Sequence, residues 1–272
     1  MSRNIVSMRA SDDSIVKLEC HERLLSTAAL AKQYAKMGYP DRYAVIAEYE
    51  RQRGSDKKGL YMSCILRPSF FPSQAALLSS LSTVALVTAL KEHTTKRLGI
   101  GWVSNVYCEG KSIGGITIEG KLDNFTSYEY IIVTFSVTLS PENFPPRLTD
   151  LVRKVFESEN SSIAMIIAKN ILNKFFPLYA NMRSNTKFMN LYRQNFILHG
   201  KKIKYVDAGK RKTCKVLGIN NEDCALIVEM KNGDIRHITS PTGVTIPKKV
   251  KIPKRQTGLS QLETNEQKQG VL

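Results

Sequence analysis

The spacing of apolar residues predicts helices in several segments of the chain. The first covers 26–37, where Ser26 or Thr27 can cap the start and Gly38 followed by Pro40 ends the helix. Longer segments with helical periodicity follow at 73–92, 145–157 and 161–182, the last interrupted at Pro177, with a further turn or two over 185–194.

Apolar and β-branched runs between these segments predict strands. They lie at 15–18, 43–49, 60–66, 99–108, 111–119 and 128–139. The polar, charged segment 50–59 is predicted to be a surface loop. Because strands and helices are intermixed, the fold class is α+β, with a mixed β-sheet packed against helices.

The pattern changes after residue 196. Five short alternating runs between 197 and 246 are separated by turn-forming pairs, which predicts a small β-barrel. The predicted organisation is a flexible N-terminus over 1–13, a mixed α+β domain over 14–195, a barrel over 196–250 and a basic, polar, disordered tail over 251–272.

Composition narrows the class of protein. With 272 residues, 42% of them hydrophobic and 24% charged, the chain can bury a core and is neither wholly disordered, collagen-like nor a coiled coil. Its longest apolar runs, such as 163–168, fall short of the ~20 residues of a membrane span, and its start lacks a secretory signal. Five dispersed cysteines without metal-ligand spacing predict reduced thiols, no metal site and a cytoplasmic location.

Charge is the strongest bias of the sequence. Forty Lys and Arg residues against 24 Asp and Glu give a net charge of +16, which favours anionic partners. Seven basic residues and one acid lie between 201 and 215. This run is either a solvated basic face or a nucleic-acid contact.

Two local patterns carry a resemblance to a known family. One is AVIAEYE, a basic glycine-containing segment and LYMSCILRP, over 44–68; the other is GWVSNVYCEGKSIGGITIEG, over 101–120. Together they resemble the biotin protein ligase family, whose catalytic domain is related to lipoate ligases. The similarity covers about 15–246 and implies that the C-terminal barrel is SH3-like. The segment before Ile15 is too short for the DNA-binding helix-turn-helix domain that some of these ligases carry.

The resemblance implies an ATP-dependent ligase that joins biotin to AMP and passes the biotinyl group to a lysine of an acceptor domain. ATP and biotin, with Mg²⁺, are the implied cofactors, and the acceptor domain is the implied partner. The residues that match the family's ligand pocket are Ser26, Thr27, Glu50, Trp102, Lys111, Gly114 and Gly115. The candidates for nucleotide or phosphate contact are Arg51, Arg53, Gly54, Lys57, Lys58 and Asn105.

Several of these residues have simpler structural interpretations. Ser26 and Thr27 are ordinary helix caps, Trp102 is a typical core aromatic, and the segment 50–59 is a typical charged turn. Gly114 and Gly115 either let the backbone approach a ligand or allow two strands to pack closely.

The chain departs from the family pattern at several donor positions. Gly101 stands where the family has lysine, Ala28 and Thr138 stand where it has asparagine, and the basic segment is several residues shorter. Lys111 or Lys121 could replace the missing lysine. Phe135 and Tyr130 are expected to fill space that a ligand occupies in the family.

No catalytic residue is assigned, and whether the chain is an enzyme stays open. Three functions are compatible with this sequence: a ligase with a degenerate active site, a non-catalytic ligase-like binding module for an acceptor domain or another ligand, and a basic nucleic-acid binder.

Overall fold

The computed structural model describes residues 4–52, 54–70, 72, 75–123, 127–139, 162–182, 187–207, 209–220, 222–247, 250 and 252. In this part of the chain, eight strands form one large sheet: β1 (Asn4–Arg9), β2 (Ile15–Leu24), β3 (Tyr43–Gln52), β4 (Ser55–Leu66), β5 (Leu98–Ile100), β6 (Asn105–Cys108), β7 (Lys111–Asp123) and β8 (Ser127–Val137). Their order is β1-β2-β3-β4-β8-β7-β6-β5. β2 and β3 run parallel and all other neighbours are antiparallel, so the sheet is mixed, as predicted.

Four helices pack against this sheet: α1 (Thr27–Lys36), α2 (Ala75–Lys91), α3 (Ile163–Ala180) and α4 (Lys187–Asn195). Local caps fix two of their starts. The Ser26 hydroxyl accepts the Ala29 N–H at 3.2 Å, and the Ser162 hydroxyl accepts the Met165 N–H at 3.3 Å. The predicted α+β class is therefore confirmed.

The two faces of the sheet have separate apolar cores because successive strand residues point to opposite sides. Ala44, Ile46 and Cys64 join α2, α3 and α4 in the larger core. Val45 and Ile65, at alternate positions, pack under α1 in a smaller core. α1 thus covers part of one face. Beyond the N-terminal end of α1, no described helix covers that face.

The C-terminal part forms a second, four-stranded antiparallel sheet of β9 (Lys202–Asp207), β10 (Lys210–Ile219), β11 (Leu226–Met230) and β12 (Ile235–Ile238), in the order β12-β11-β10-β9. The fifth predicted strand appears as a single bridge between Lys204 and Thr245. This sheet is consistent with an SH3-like domain, and barrel closure and the domain boundaries stay predictions.

Some predicted elements differ from the observed ones. No element was predicted in 1–13, yet Asn4–Arg9 form β1 against β2. The predicted loop 50–59 is a hairpin, because β3 extends to Gln52 and β4 starts at Ser55. α3 continues through Pro177 instead of being interrupted there.

Other predictions fall outside the described residues. The predicted helix 145–157 lies there, and so does the tail apart from Ile252, which is buried. Within the described ranges, no helix combines the length and apolarity needed to cross a bilayer.

Candidate functional site

A chain of hydroxyl groups runs from the middle of the large sheet to the N-terminal end of α1. The Ser63 hydroxyl donates to the Thr27 hydroxyl at 2.9 Å, and Thr27 donates to Glu50 Oε1 at 3.0 Å. Ser63 and Thr134 lie 2.9 Å apart, and because the one Ser63 proton is used toward Thr27, Thr134 must be the donor. All the hydrogen bonds therefore point toward the Glu50 carboxylate.

The Glu50 carboxylate also accepts the backbone N–H of Thr27, the first residue of α1. A negative charge at this end of a helix is stabilised by the helix dipole and by the N–H groups that have no partner inside the helix. Two pocket candidates, Thr27 and Glu50, are thus in direct contact. Ser26 is the helix cap described above, which is its simpler structural interpretation.

A row of small side chains crosses the sheet face next to this pair. Successive cross-strand partners place Ala47 beside Tyr61, Tyr61 beside Ser136, Ser136 beside Gly115 and Gly115 beside Asn105. Neighbouring strands are ~4.8 Å apart, so the row extends roughly 19 Å from β3 to β6. Alanine, serine and glycine occupy three of its five positions, and we call this row the small-residue strip. Ala47 and Tyr61 at its β3 end are buried, and Asn105 at its β6 end is exposed.

Tyr61, one of the five residues of the strip, is influenced by the negative charge of Glu50. The Tyr61 ring is buried, and its hydroxyl accepts the Gln52 side-chain amide at 3.4 Å. Burial first, and then the negative charge of Glu50, raise the pKa of Tyr61. The phenol is therefore neutral at pH 7 and can act as a hydrogen-bond donor.

Gly101 is enclosed by its neighbours. A Cβ atom at this position would lie 2.7 Å from Cε2 of Tyr107. The Tyr192 hydroxyl oxygen lies 3.2 Å from the Gly101 carbonyl oxygen and 2.9 Å from the Val103 carbonyl oxygen, so the two carbonyls share its one proton. The Tyr107 ring thus occupies the space into which a side chain at position 101 would extend.

Trp102 faces the C-terminal sheet. Its side chain is 2% exposed, and its indole N–H donates to the Cys224 carbonyl at 2.8 Å. This agrees with its interpretation as a core aromatic. Asn105 is exposed, and its side-chain amide donates to the Trp102 carbonyl at 3.4 Å.

Gly114 and Gly115 are required by close strand packing. An added Cβ would lie 1.9 Å from the Ser136 carbonyl oxygen at Gly114 and 2.2 Å from the Ser104 carbonyl oxygen at Gly115. Gly114 also has a φ of +149°, which residues with a side chain rarely adopt. The tight strand crossing explains both glycines without a ligand.

The basic segment is a hairpin with charges of both signs. Glu50 lies opposite Lys57 and Arg51 opposite Asp56, so oppositely charged residues face each other across the two strands. Gly54 turns the hairpin with a φ of +83°, and Arg53 lies outside the described residues.

Lys58 of this hairpin and Arg23 of β2 both contact the ring of Tyr49 in β3. Arg23 lies 5.1 Å and Lys58 5.8 Å from the centre of the Tyr49 ring. Arg23 also forms an ion pair with Asp56.

The two candidate replacement lysines lie away from position 101. Lys111 is exposed at the start of β7, opposite Cys108. Lys121 forms an ion pair with Glu129 at 2.5 Å, six residues along β7 from Gly115, or roughly 20 Å along a strand.

Neither aromatic expected in the ligand space lies on the small-residue strip. Phe135 packs edge-on against Phe175 of α3, with ring centres 5.8 Å apart, in the core on the other face. Tyr130 is buried in the smaller core under α1. Phe135 therefore lies on the face opposite the strip. Tyr130 lies on the same face as the strip, six residues along β8 from Ser136, and its expected place in the ligand space stays a prediction.

Ser63 and Thr134 are not among the site residues predicted from the sequence. They are cross-strand partners in the middle of two apolar strands, and each is buried. A hydroxyl residue inside an apolar strand was the available signal. Among the described residues, no cluster of His, Cys, Asp or Glu could hold a metal ion.

Sequence comparison finds relatives over part of the chain. No protein-family model matches it. It is 27% identical over 153 residues to the bifunctional ligase/repressor BirA of Bacillus subtilis, in an alignment that covers 53% of this chain and 47% of the relative. The BirA of Bacillus spizizenii is 25% identical over 148 residues, covering 51% and 46%. The chain thus spans about half the length of the curated relatives it matches.

Structural comparison extends over most of the chain. Biotin protein ligase from Aquifex aeolicus in complex with biotin and ATP matches with a TM-score of 0.62 and 18% identity, covering 84% of this chain and 97% of the ligase. A biotin protein ligase-like protein of unknown function from Silicibacter matches with a TM-score of 0.61 and 15% identity, covering 82% and 94%. The chain therefore has the fold of the biotin protein ligases, and its resemblance to that family is confirmed.

Proposed function

We propose that this chain binds biotin, or a carboxylic acid with a similar cyclic urea group, at the N-terminal end of α1. The observation that carries the proposal is the contact between Thr27 and Glu50 beside the small-residue strip. Thr27 holds one carboxylate oxygen of Glu50, and a carboxylate has a second oxygen that can accept ligand N–H groups. A cyclic urea supplies two such donors.

We further propose that ATP-dependent turnover is slow or absent, so that the chain is a ligase-like binding module. In adenylation, a carboxylate oxygen of biotin bonds to the α-phosphorus of ATP and pyrophosphate leaves. The two anions repel each other, so the step needs positioned cations or N–H donors. Gly101 has no side chain that could supply a cation. A longer residue at this position would collide with the Tyr107 ring. Losing one positioned donor typically costs ~10²–10³ in rate.

The residues of the hairpin nevertheless fit a polyphosphate. Arg51, Lys57 and Lys58 are exposed, and Gly54 lies at the turn between the two strands. Arg53 precedes Gly54 in the sequence and stays a proposed contact. ATP would supply negative charge for these cations, and Mg²⁺ would enter with the nucleotide. Lys111 and Asn105 remain proposed contacts. The acceptor domain remains the proposed protein partner, and the cytoplasmic location stays a prediction.

Calorimetry with biotin, and a pyrophosphate-release assay with biotin plus ATP, test both parts. We expect the protein to bind biotin. Glu50→Ala should weaken binding by about 10- to 100-fold, because a hydrogen bond to a charged group contributes about 1.5–3 kcal/mol. Glu119→Ala is the matched control, since Glu119 is an exposed acid on β7 paired with Lys32.

Each part has its own contradicting result. No heat of biotin binding, or equal affinities for wild type and Glu50→Ala, would reject the ligand site. Continuous pyrophosphate release that depends on biotin, with transfer to an acceptor domain, would reject the non-catalytic module and identify a working ligase.

A further inference from the structure

The outward side of the C-terminal sheet carries four exposed cations. Lys202 and Lys204 of β9 alternate with the buried Ile203 and Tyr205, and on β10 Arg211 and Lys215 are exposed at alternate positions of the same face. Strand alternation therefore places all four on one surface. We call the surface formed by Lys202, Lys204, Arg211 and Lys215 the basic face.

Strand pairing concentrates these charges. Lys202 and Lys215 are directly opposite each other across β9 and β10. Lys204 lies opposite Thr213, and Arg211 lies opposite Val206, so the remaining two cations occupy nearby positions. Like charges placed opposite each other in a sheet are destabilising. A bound polyanion would remove this repulsion.

Little negative charge compensates the basic face. Among the described outward side chains of the C-terminal sheet, the acid near these cations is Glu229, whose carboxylate is 3.6 Å from Lys215 Nζ. All four cations contribute to the net charge of +16 of the chain. Such a surface attracts polyanions over a distance set by the ionic strength.

The side chains of this surface favour nucleic acid over protein as the partner. Lysine is depleted in protein–protein interfaces, which are built around buried aromatic and apolar anchors, whereas interfaces with nucleic acid are strongly positive. The described outward positions of β9 to β12 carry no Phe, Tyr or Trp. Large apolar side chains exposed there are Val206 and Ile235, on the two outer strands.

The same absence of aromatic side chains from the described outward positions favours a duplex over a single strand as the partner. Proteins that bind single strands stack bases on aromatic rings, which these described positions do not provide. Lysine and arginine contacts to phosphates fix a protein on a duplex without reading its sequence. We propose that the basic face binds the phosphate backbone of duplex nucleic acid independently of sequence.

Fluorescence anisotropy with a labelled 25-base-pair DNA duplex tests this proposal. If each of the four cations neutralises one phosphate, the slope of log affinity against log salt is about −3.6. Raising the salt concentration from 50 to 200 mM should then weaken binding about a hundredfold. Lys204→Ala combined with Arg211→Ala should reduce the slope by about 2, to a tenfold loss over the same range.

A charge-matched control separates the basic face from the general charge of the protein. Lys36→Ala combined with Lys96→Ala removes two exposed cations of the large domain and should leave affinity and slope close to wild type. Equal loss of affinity in the two double variants would overturn the proposal, as would no binding at 50 mM salt. Tighter binding of a single strand, or displacement of the duplex by an equal charge concentration of polyglutamate, would also reject it, the latter in favour of an acidic protein partner. Far-UV circular dichroism confirms that each variant is folded.

Discussion

Gly101, where the family resemblance leads us to expect a lysine, is closely surrounded by other side chains. The Tyr107 ring is 4% exposed and packs over the position that a Cβ would occupy. In addition, Tyr192 holds the Gly101 carbonyl from the other side. A lysine at position 101 would therefore require a second substitution that moves the Tyr107 ring.

We predict that Gly101→Ala destabilises the protein by about 1–3 kcal/mol, the usual cost of overpacking a closed site. Without the steric conflict, a Gly→Ala change that leaves the backbone unstrained stabilises a protein by about 0.4–1 kcal/mol. Urea denaturation of the wild type, both single variants and the double variant with Tyr107→Leu measures the coupling. The cost of Gly101→Ala should fall in the Tyr107→Leu background. An equal cost in both backgrounds would show that the ring does not exclude a side chain.

Glu19 is a fully buried carboxylate that makes stability depend on pH. Its Oε1 accepts the Tyr34 hydroxyl at 3.0 Å and contacts His21 Nε2 at 2.9 Å, and its Oε2 accepts the Tyr43 hydroxyl at 2.6 Å. Burial alone raises the pKa of this carboxyl. The hydrogen bonds from Tyr43, Tyr34 and His21 outweigh burial, and the pKa is lowered from its usual value of 4.5.

The folded pKa of Glu19 lies below the unfolded one, so its contribution to stability is present above about pH 4.5 and is lost as the pH falls through the folded value. Glu19→Gln should therefore be less stable than wild type by about 1.5–3 kcal/mol at pH 7, and the difference should shrink toward pH 3. Denaturation curves at both pH values measure this. Glu22→Gln, at an exposed position of the same strand, is the control. A difference that stays constant with pH would contradict the prediction.

At the scale of the elements, the sequence predicts what depends on local interactions. α1 follows from the Ser26 cap, the helical spacing and Gly38 after the helix, all within one short stretch of the sequence. β1 and the hairpin of β3 and β4 were missed because their strand character comes from pairing with a neighbour. Arg51 and Lys57 look like loop residues in the sequence, and only their cross-strand partners Asp56 and Glu50 make them part of a ladder.

The candidate site, like the fold, is predictable from the sequence only in part. Thr27 and Glu50 follow from the family resemblance and are found in contact. Ser63 and Thr134 could not be assigned, because their roles depend on which strands are neighbours and which face each side chain occupies. The position of Tyr107 over Gly101 is likewise a contact between strand β6 and the segment before it, with no signal in residue spacing.

At the scale of the whole molecule, the large and the C-terminal sheet share one apolar core. Cys224, before β11, lies at the centre of the contact. It receives the Trp102 indole N–H on its carbonyl, and its sulfur accepts the Ser80 hydroxyl of α2 at 2.9 Å. The Val250 N–H donates to the Gly110 carbonyl at 2.9 Å and adds a backbone link between the two parts. These contacts lie behind the segment that contains Gly101.

We predict that the two sheets unfold together, because separating them would expose the shared core and leave the buried Trp102 N–H without a partner. Trp102 is the single tryptophan of the chain, so its fluorescence reports on this junction while far-UV circular dichroism reports on both sheets. The two signals should follow the same urea curve with one midpoint. Trp102→Phe identifies the part of the emission that comes from tyrosines. A fluorescence midpoint at a lower urea concentration than the circular dichroism midpoint would contradict this prediction. It would mean that the contact between Trp102 and Cys224 breaks before the sheets unfold.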